Sequence, residues 1–380
     1  MHICTHIEST VGYKGKIYLS DEGYGHIVRQ RAIIEELRAI HPDIGITIQT
    51  SRHLNAAMRF IPGAEYIDRF NNILWHKRPN GSPDVAAIRE HYAQYGTISE
   101  AYIAQEMEGS DEYDFLISDF VYEAFPVGLQ KGIPAFGIAH FTWDWFFSKL
   151  YPPPLESSLI YRFISMAGQA KRLYFPPFTP GEILNHYKSV AVEVPLILRK
   201  EINHKVSNYT DKFRVLIADS GAGILSESIA KALKSVSDLD DFVFFVSEKF
   251  QCENRNVHYI PDSDLMVDYV SDMNLVIGRA GFNTISECVG LRTPMLLIGE
   301  AMNPEINENI LMLKQFHLGS FISLQTFETG LGKYLPDFIS HEYAFISRNM
   351  ADHEIMSNGA EVVASDIMNV LSENKVAMSK

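Results

Sequence analysis

Two series of short apolar runs, each run followed by a turn and a segment of helical period, dictate parallel sheets flanked by helices twice over. The first series reads KIYLS (16–20), the turn DEGYG (21–25) and a helix from about His26 on which Ile33, Leu37 and Ile40 share one face. IGITIQT (44–50), a long helix from about Asp84 to Glu108, YDFLIS (113–118) and IPAFGIA (133–139) continue it. The second series reads FRVLIA (213–218), a helix from Ile224 to Val236, DFVFFVS (241–247), NVHYI (256–260), MNLVIG (273–278), a helix from about Asn283, and PMLLIG (294–299). VPLILRK (194–200) crosses between the halves, whose boundary falls near 200–208. Residues 141–178, rich in aromatics and prolines, predict loops and helices layered on the first half, and a last helix spans about Gly359 to Leu371 after a polar loop.

A length of 380 residues suits two domains, and 46% apolar residues suffice for two cores. The formal net charge of −14 argues against a nucleic acid partner, though not against a single nucleotide, which backbone amides can hold. Cys4, Cys252 and Cys288 are scattered and indicate neither a disulfide framework nor a zinc site. No apolar run approaches the roughly 18 residues of a membrane span, and the N-terminus lacks the pattern of a signal peptide, so a cytoplasmic protein is expected, with peripheral membrane contact left open.

Three turns follow a strand and open a helix, where a doubly wound sheet binds its ligands: 21–26, 219–223 and 278–287. Gly23 and Gly25 let backbone approach a ligand in the first, and His26 stands at the helix start. The second offers Ser220 and Gly221. In the third, the free N–H groups and positive end of a helix suit a diphosphate, with Arg279, Gly281, Asn283 and Thr284 around it and Glu287 placed to accept from ribose hydroxyls. None matches GxGxxG or GxxxxGK[ST]. Each has a plainer reading: a tight connection for 219–223, a helix cap for His26, a solvated first-turn acid for Glu287. Asp238-Leu239-Asp240 matches a DxD metal pattern by chance in a polar loop, and Trp143 and Trp145 are more often packing than a sugar platform. Asp119, directly after a strand, points at the cleft.

Together the turns resemble the GT-B glycosyltransferases. IGRAGFNTISECVGLRTPMLLIGEAMNPEINENIL is similar to the nucleotide-sugar signature of the UDP-glycosyltransferases and the peptidoglycan N-acetylglucosaminyltransferase. GYGHIVR (23–29), LISDF (116–120), HFTWDWFFSKLY (140–151), VPLILRK (194–200), GFNTISE (281–287) and NGAEVVA (358–364) more closely resemble the glycosyltransferase-like N-terminal half of plant L-arabinokinases, without their kinase half.

The resemblance implies an α/β GT-B fold of two Rossmann-like domains facing across a cleft. It implies an acceptor-side domain at 1–200, a nucleotide-sugar domain at 201–355, and a C-terminal helix and tail, 356–380, packing back on the first domain. It makes His26 the base that deprotonates a hydroxyl acceptor and Asp119 the acid that orients it. Gly221, Arg279, Gly281 and Thr284 fall on diphosphate positions and Glu287 on the ribose position. Where many relatives grip the donor sugar with an acid–Gln pair, this chain has Glu305-Ile306, with Asn303 and Asn309 as compensating amides.

The expected reaction is inverting transfer from a nucleotide diphosphate sugar, UDP-linked, to a hydroxyl acceptor, with no cofactor and no metal. The acceptor is expected between the first turn and the 141–151 segment, where Trp143 or Trp145 offers a face. A nucleotide-sugar hydrolase or epimerase, or a non-catalytic nucleotide-sugar binder, would use the same turns.

Overall fold

The computed structural model describes residues 12–378 apart from 24, 72, 79–81, 201–205, 207, 208, 210, 220–224, 251, 263 and 300–302, with side chains of the last helix described to Asn374. Among the described residues the first sheet comprises β1 (Lys14–Leu19), β2 (Gly45–Thr50), β3 (Glu65–Asp68), β4 (Phe115–Asp119), β5 (Ala135–Ile138), β6 (Arg172–Phe175) and β7 (Ala191–Glu193). The second comprises β8 (Phe213–Ala218), β9 (Phe242–Ser247), β10 (Val257–Ile260), β11 (Leu275–Arg279), β12 (Met295–Ile298) and β13 (Ser320–Ile322). Their orders are β3-β2-β1-β4-β5-β6-β7 and β10-β9-β8-β11-β12-β13, with every neighbouring pair parallel. Strand order reverses between β1 and β4 in one sheet and between β8 and β11 in the other. A doubly wound sheet opens its ligand crevice at such points.

Alternation along β1 separates two kinds of core. Tyr18 faces an aromatic layer with Trp75, Tyr92, Tyr95 and Phe163, while Ile17 and Leu19 face an aliphatic layer with Ile33 and Leu37. The final helix, Gly359–Met378, packs into that aliphatic layer through Val363, Ala364, Ile367 and Leu371, far in sequence from the strands it covers. Tyr174 and Arg172 of β6 bind its Asp366 at 2.7 and 2.8 Å. The chain reaches and leaves the second sheet through two segments that touch: Leu196 N–H donates to Met356 and Gly359 N–H to Leu196, both at 2.9 Å.

Several expected boundaries are corrected. The helix expected over 84–108 is two, Val85–Tyr92 and Tyr95–Glu108, because Gln94 (ψ 5°) leaves helical geometry. The bend lets Tyr92 and Tyr95 share one aromatic cluster (rings 5.2 Å apart) while Glu106 reaches Lys16 at 2.5 Å on β1. The aromatic 141–178 segment does more than layer on the sheet, since it contributes β6 after the helices Trp143–Ser148 and Ser157–Ala167. The strands β3, β7 and β13 carry no strong sequence signal. In the loop of the DxD pattern, Asp240 pairs at the surface with Arg255 at 2.5 Å.

The final helix forms part of the first domain's core, so Ile367→Ala, at a position with no solvent exposure, is expected to destabilise the protein by about 2–5 kcal/mol in urea unfolding. A cost below about 1 kcal/mol, the range of volume-conserving swaps, would mean the helix is only laid against the domain.

Candidate active site

At the first switch point, β1 runs into the turn that opens the helix Gly25–Ile40, and β4 ends at Asp119 in register with Leu19. His26, Arg29 and Gln30 stand at i, i+3 and i+4 on this helix and so share a face. All three reach the same carboxylate. His26 Nδ1 lies 2.7 Å from Asp119 Oδ1, Gln30 Nε2 donates to Oδ2 at 2.8 Å, and Arg29 donates to both oxygens, Nε to Oδ2 at 3.3 Å. Asp119 has no solvent exposure. Burial opposes its ionisation, but the charges of Arg29 and His26 and their hydrogen bonds outweigh it and hold the carboxyl well below the usual range. A carboxylate can only accept, so Nδ1 of His26 carries a proton, and in the neutral ring the lone pair lies on Nε2.

Arg29 was not singled out in the sequence, and its presence changes the electrostatics. Its guanidinium lies 3.1 Å from His26 Nδ1. An imidazolium formed there faces one carboxylate and one guanidinium, not an unopposed acid. The signal was available, as a charged residue one turn after His26 on the face turned to the sheet.

The turn after β4 is held by Ser118, whose hydroxyl donates to Val121 C=O at 2.6 Å and accepts from Val121 N–H at 3.1 Å. Phe120 is thereby held at φ 64°, a left-handed conformation that costs a bulky residue about 1–3 kcal/mol. Its ring lies 5.5 Å from that of His26 and 5.7 Å from that of His140, two residues beyond β5.

At the second switch point, β11 ends at Arg279, Gly281 caps the helix Phe282–Gly290, and Asn283 and Thr284 occupy its first turn. Ser220 and Gly221 lie outside the described residues. Asp219, just before them, pairs with Lys249 at 2.7 Å and accepts from Ser226 at 3.1 Å. Among the described residues, a side chain at Gly281 would meet only Arg279, at 3.8 Å, and one at Gly23 only His26, at 4.0 Å.

Glu305 opens the helix Pro304–Phe316 and reaches the start of the other helix, accepting from Phe282 N–H at 3.4 Å. Burial pushes its carboxyl up, but His140, the Arg279 charge and that N–H bring it down to about 2. Glu287 is the opposite case. Burial pushes it up to about 8, against the pull of Arg199 and aided by Asp268. Arg199, from the first crossing segment, is itself paired with Asp268 at 2.5 Å.

Three expected site residues are corrected on geometry. Asn303 was expected at the donor sugar, but it is fully buried and its Oδ1 caps the helix by accepting from Ile306 N–H at 3.3 Å. Asn309 is likewise committed, donating to Ala280 C=O at 3.0 Å. Trp143, expected to offer a face to an acceptor, is 2% exposed, stacked on Phe147 at 5.5 Å and bound through its indole N–H to Phe120 C=O at 3.0 Å. Trp145, also largely buried, keeps an edge on a cavity of about 310 Å³ that it shares with Lys149, Leu150, Tyr151, Pro304 and Glu308.

The two half-sites meet. A methyl at Gly25 would fall 1.5 Å from Asn283 Nδ2, so the first turn packs directly on the third. His140 Nε2 lies 3.1 Å from Glu305 Oε1, and its ring stacks on Phe282 with centroids 4.0 Å apart and planes 11° apart. His140 and Phe282 were not among the expected site residues. Among the described residues no cluster of three side chains suited to a metal ion occurs, and no helix is long and apolar enough to cross a membrane.

Residues 240–363 match the glycosyltransferase family 28 C-terminal domain. Over 95 residues the chain is 28% identical to the UDP-N-acetylglucosamine–N-acetylmuramyl-(pentapeptide) pyrophosphoryl-undecaprenol N-acetylglucosamine transferase of Thermosipho melanesiensis, a match that spans 25% of this chain and 28% of that one. The whole architecture is similar to solved glycosyltransferases. The glycotransferase of kitacinnamycin gives a TM-score of 0.64 at 14% identity, covering 94% of this chain and 99% of its own. The spinosyn rhamnosyltransferase SpnG complexed with thymidine diphosphate gives 0.62 at 13%, covering 93% and 99%. A UDP-glucosyltransferase from Polygonum tinctorium gives 0.63 at 13%, covering 95% and 99%. The fold is therefore GT-B, and the stretch similar to the glycosyltransferase family 28 C-terminal domain runs from β9 to the start of the final helix.

Asp119→Asn leaves the buried Arg29 without its counter-charge and is expected to cost about 3–5 kcal/mol of stability. Combined with Arg29→Met it should cost clearly less than the sum of the single changes, and additive costs in urea unfolding would refute the pairing. Glu287 adds a pH dependence. Its folded pKa of about 8 stands above the ordinary 4.5, so the folded state holds a proton that the unfolded chain has lost. The associated stability is complete below pH 4.5 and disappears as pH rises towards 8. Glu287→Gln should remove that slope, with an advantage over the natural protein that grows from pH 5 to pH 8 in thermal unfolding. Parallel curves for the two proteins would contradict the assignment.

Proposed function

We propose that this protein transfers a glycosyl group, with inversion, from a UDP-linked sugar to a hydroxyl acceptor, His26 serving as the base. The observation that carries the reading is the 2.7 Å contact of His26 with a fully buried, ionised Asp119 at one switch point, set against a helix start at the other. The names of the similar proteins, one of which binds thymidine diphosphate, support it.

The acceptor hydroxyl approaches Nε2, the ring nitrogen left with a lone pair, and gives up its proton as its oxygen attacks the anomeric carbon. The bond from that carbon to the donor's β-phosphate oxygen breaks on the opposite face, which inverts the configuration. A positioned base of this kind contributes roughly 10²–10⁴-fold. The proton rests on an imidazole fixed by Asp119, while Arg29 and Gln30 hold that carboxylate still.

The leaving diphosphate gains charge as the bond breaks. Arg279 and the N–H groups at the start of the helix Phe282–Gly290 are fixed donors of the kind that stabilise it, without need of a metal. Among the described residues a side chain would meet only Arg279 at Gly281 and only His26 at Gly23, which suits phosphate at the first and the acceptor at the second. Glu287, kept protonated by burial, can both donate to and accept from ribose hydroxyls. Asn283 packs against Gly25 where the two turns meet. A cytoplasmic reaction accompanies this reading, in keeping with three scattered cysteines.

His26→Ala should lower turnover of a UDP-sugar in the presence of a hydroxyl acceptor at least about 10²-fold, while the thermal shift produced by UDP stays that of the natural protein. Full activity in the variant refutes the base. Sugar release without an acceptor identifies a hydrolase instead.

A further inference from the structure

The resemblance leaves one place unfilled. The residue after Glu305 is Ile306, which is fully buried and has no polar group to offer a donor sugar. Of the nearby amides, Asn309 is bound to Ala280 C=O, while Asn303 spends its oxygen on the capping bond and keeps only a buried Nδ2 donor without a partner among the described residues.

We propose that His140, from the first domain, is the second polar group that holds the donor sugar, acting with Glu305 across the cleft. This rests on the transferase reading above. Its Nε2 already lies 3.1 Å from Glu305 Oε1. Its ring cannot turn freely, stacked on Phe282 at 4.0 Å and edged by Phe141 at 4.9 Å and Phe120 at 5.7 Å. Glu305 is an ionised acceptor, so Nε2 carries the hydrogen and Nδ1 the lone pair. Nδ1 is buried without a protein partner among the described residues, an acceptor that a hydroxyl could fill.

Carboxylate, N–H and ring nitrogen together offer what sugar hydroxyls need, since each hydroxyl both donates and accepts. The charged groups that bear on His140 are Glu305, which favours its cation, and Arg29 and His26, which oppose it. Burial is the largest influence and lowers its pKa, keeping the ring neutral and its two nitrogens different. Because the two groups belong to different domains, the sugar is recognised only when the cleft closes, whereas the nucleotide needs the second domain alone.

Calorimetric titration with UDP, UDP-glucose and UDP-N-acetylglucosamine separates these contributions. His140→Ala should leave UDP binding within about twofold and weaken the better-bound sugar nucleotide about tenfold, as expected for loss of a polar contact. His140→Gln, which restores an amide, should recover most of that loss. A merely structural histidine would move UDP and UDP-sugar together, or leave Gln no better than Ala, and either result overturns the proposal, as does unchanged sugar-nucleotide binding in His140→Ala. A natural protein that binds UDP but gains nothing from the sugar overturns this inference alone. One that binds none of the three overturns the transferase reading with it.

Discussion

A carboxylate with no access to water must be matched by its neighbours, and Asp119 imposes that demand on everything around it. Three donors answer from a single helical face, His26, Arg29 and Gln30, which is possible only if the helix Gly25–Ile40 begins directly over the end of β4. The demand thus fixes the helix start, and the helix start fixes where the free nitrogen of His26 points. Removing the carboxylate would take away an orienting group and also strand a buried cation. The left-handed Phe120 belongs to the same constraint, because the chain must turn at once after Asp119 to leave the carboxylate facing the helix.

The same logic, with different residues, shapes the other half. Glu305 sits at the start of the helix Pro304–Phe316 beside Arg279 and is ionised, while Glu287, on the neighbouring helix Phe282–Gly290, lacks a comparable partner and is not. Two acids on neighbouring elements are thereby given opposite protonation states, one suited only to accepting hydrogen bonds and one suited to donating as well. The environment of each, not its residue type, makes the difference.

Much of this was legible in the sequence because parallel strands buried on both faces read as unbroken apolar runs. FLISD, FRVLIA and MLLI declared themselves, and with them the turns at their ends. EYID, RLYF, AVE and SFI did not, since short strands towards sheet edges carry polar residues and borrow their stability from a neighbour. His26 and Asp119 were legible as strand-end residues. Arg29 was not legible as a site residue, because a charged side chain on a helix carries no sign of whether it faces solvent or a buried ion pair. His140 was hidden inside an aromatic run, and its partner Glu305 is 165 residues away in the chain. Contacts across domains leave no local periodicity for a sequence to show. Trp143 misled for the complementary reason, as a residue type suited to sugars whose ring the core had already taken.

The arrangement also explains how such a seam can open. The helices Gly25–Ile40 and Phe282–Gly290 touch at their N-terminal ends, through Gly25 and Asn283. Towards their C-terminal ends each meets the first crossing segment: Glu36 binds Lys200 at 2.8 Å, and Leu198 fills the space beside Gly290. From residue 25 to residue 36 the helix rises about 16 Å. Pivoting on the crossing segments by roughly 10° would then move the cleft end by about 3 Å over that lever. Such a displacement parts the 3.1 Å contact of His140 with Glu305 while leaving both sheets intact. Each domain would keep its own cluster in such a movement: Asp119 with its three donors in one, Arg279 and the helix start in the other. What would part is the seam between them, through residues other than those that hold each cluster together.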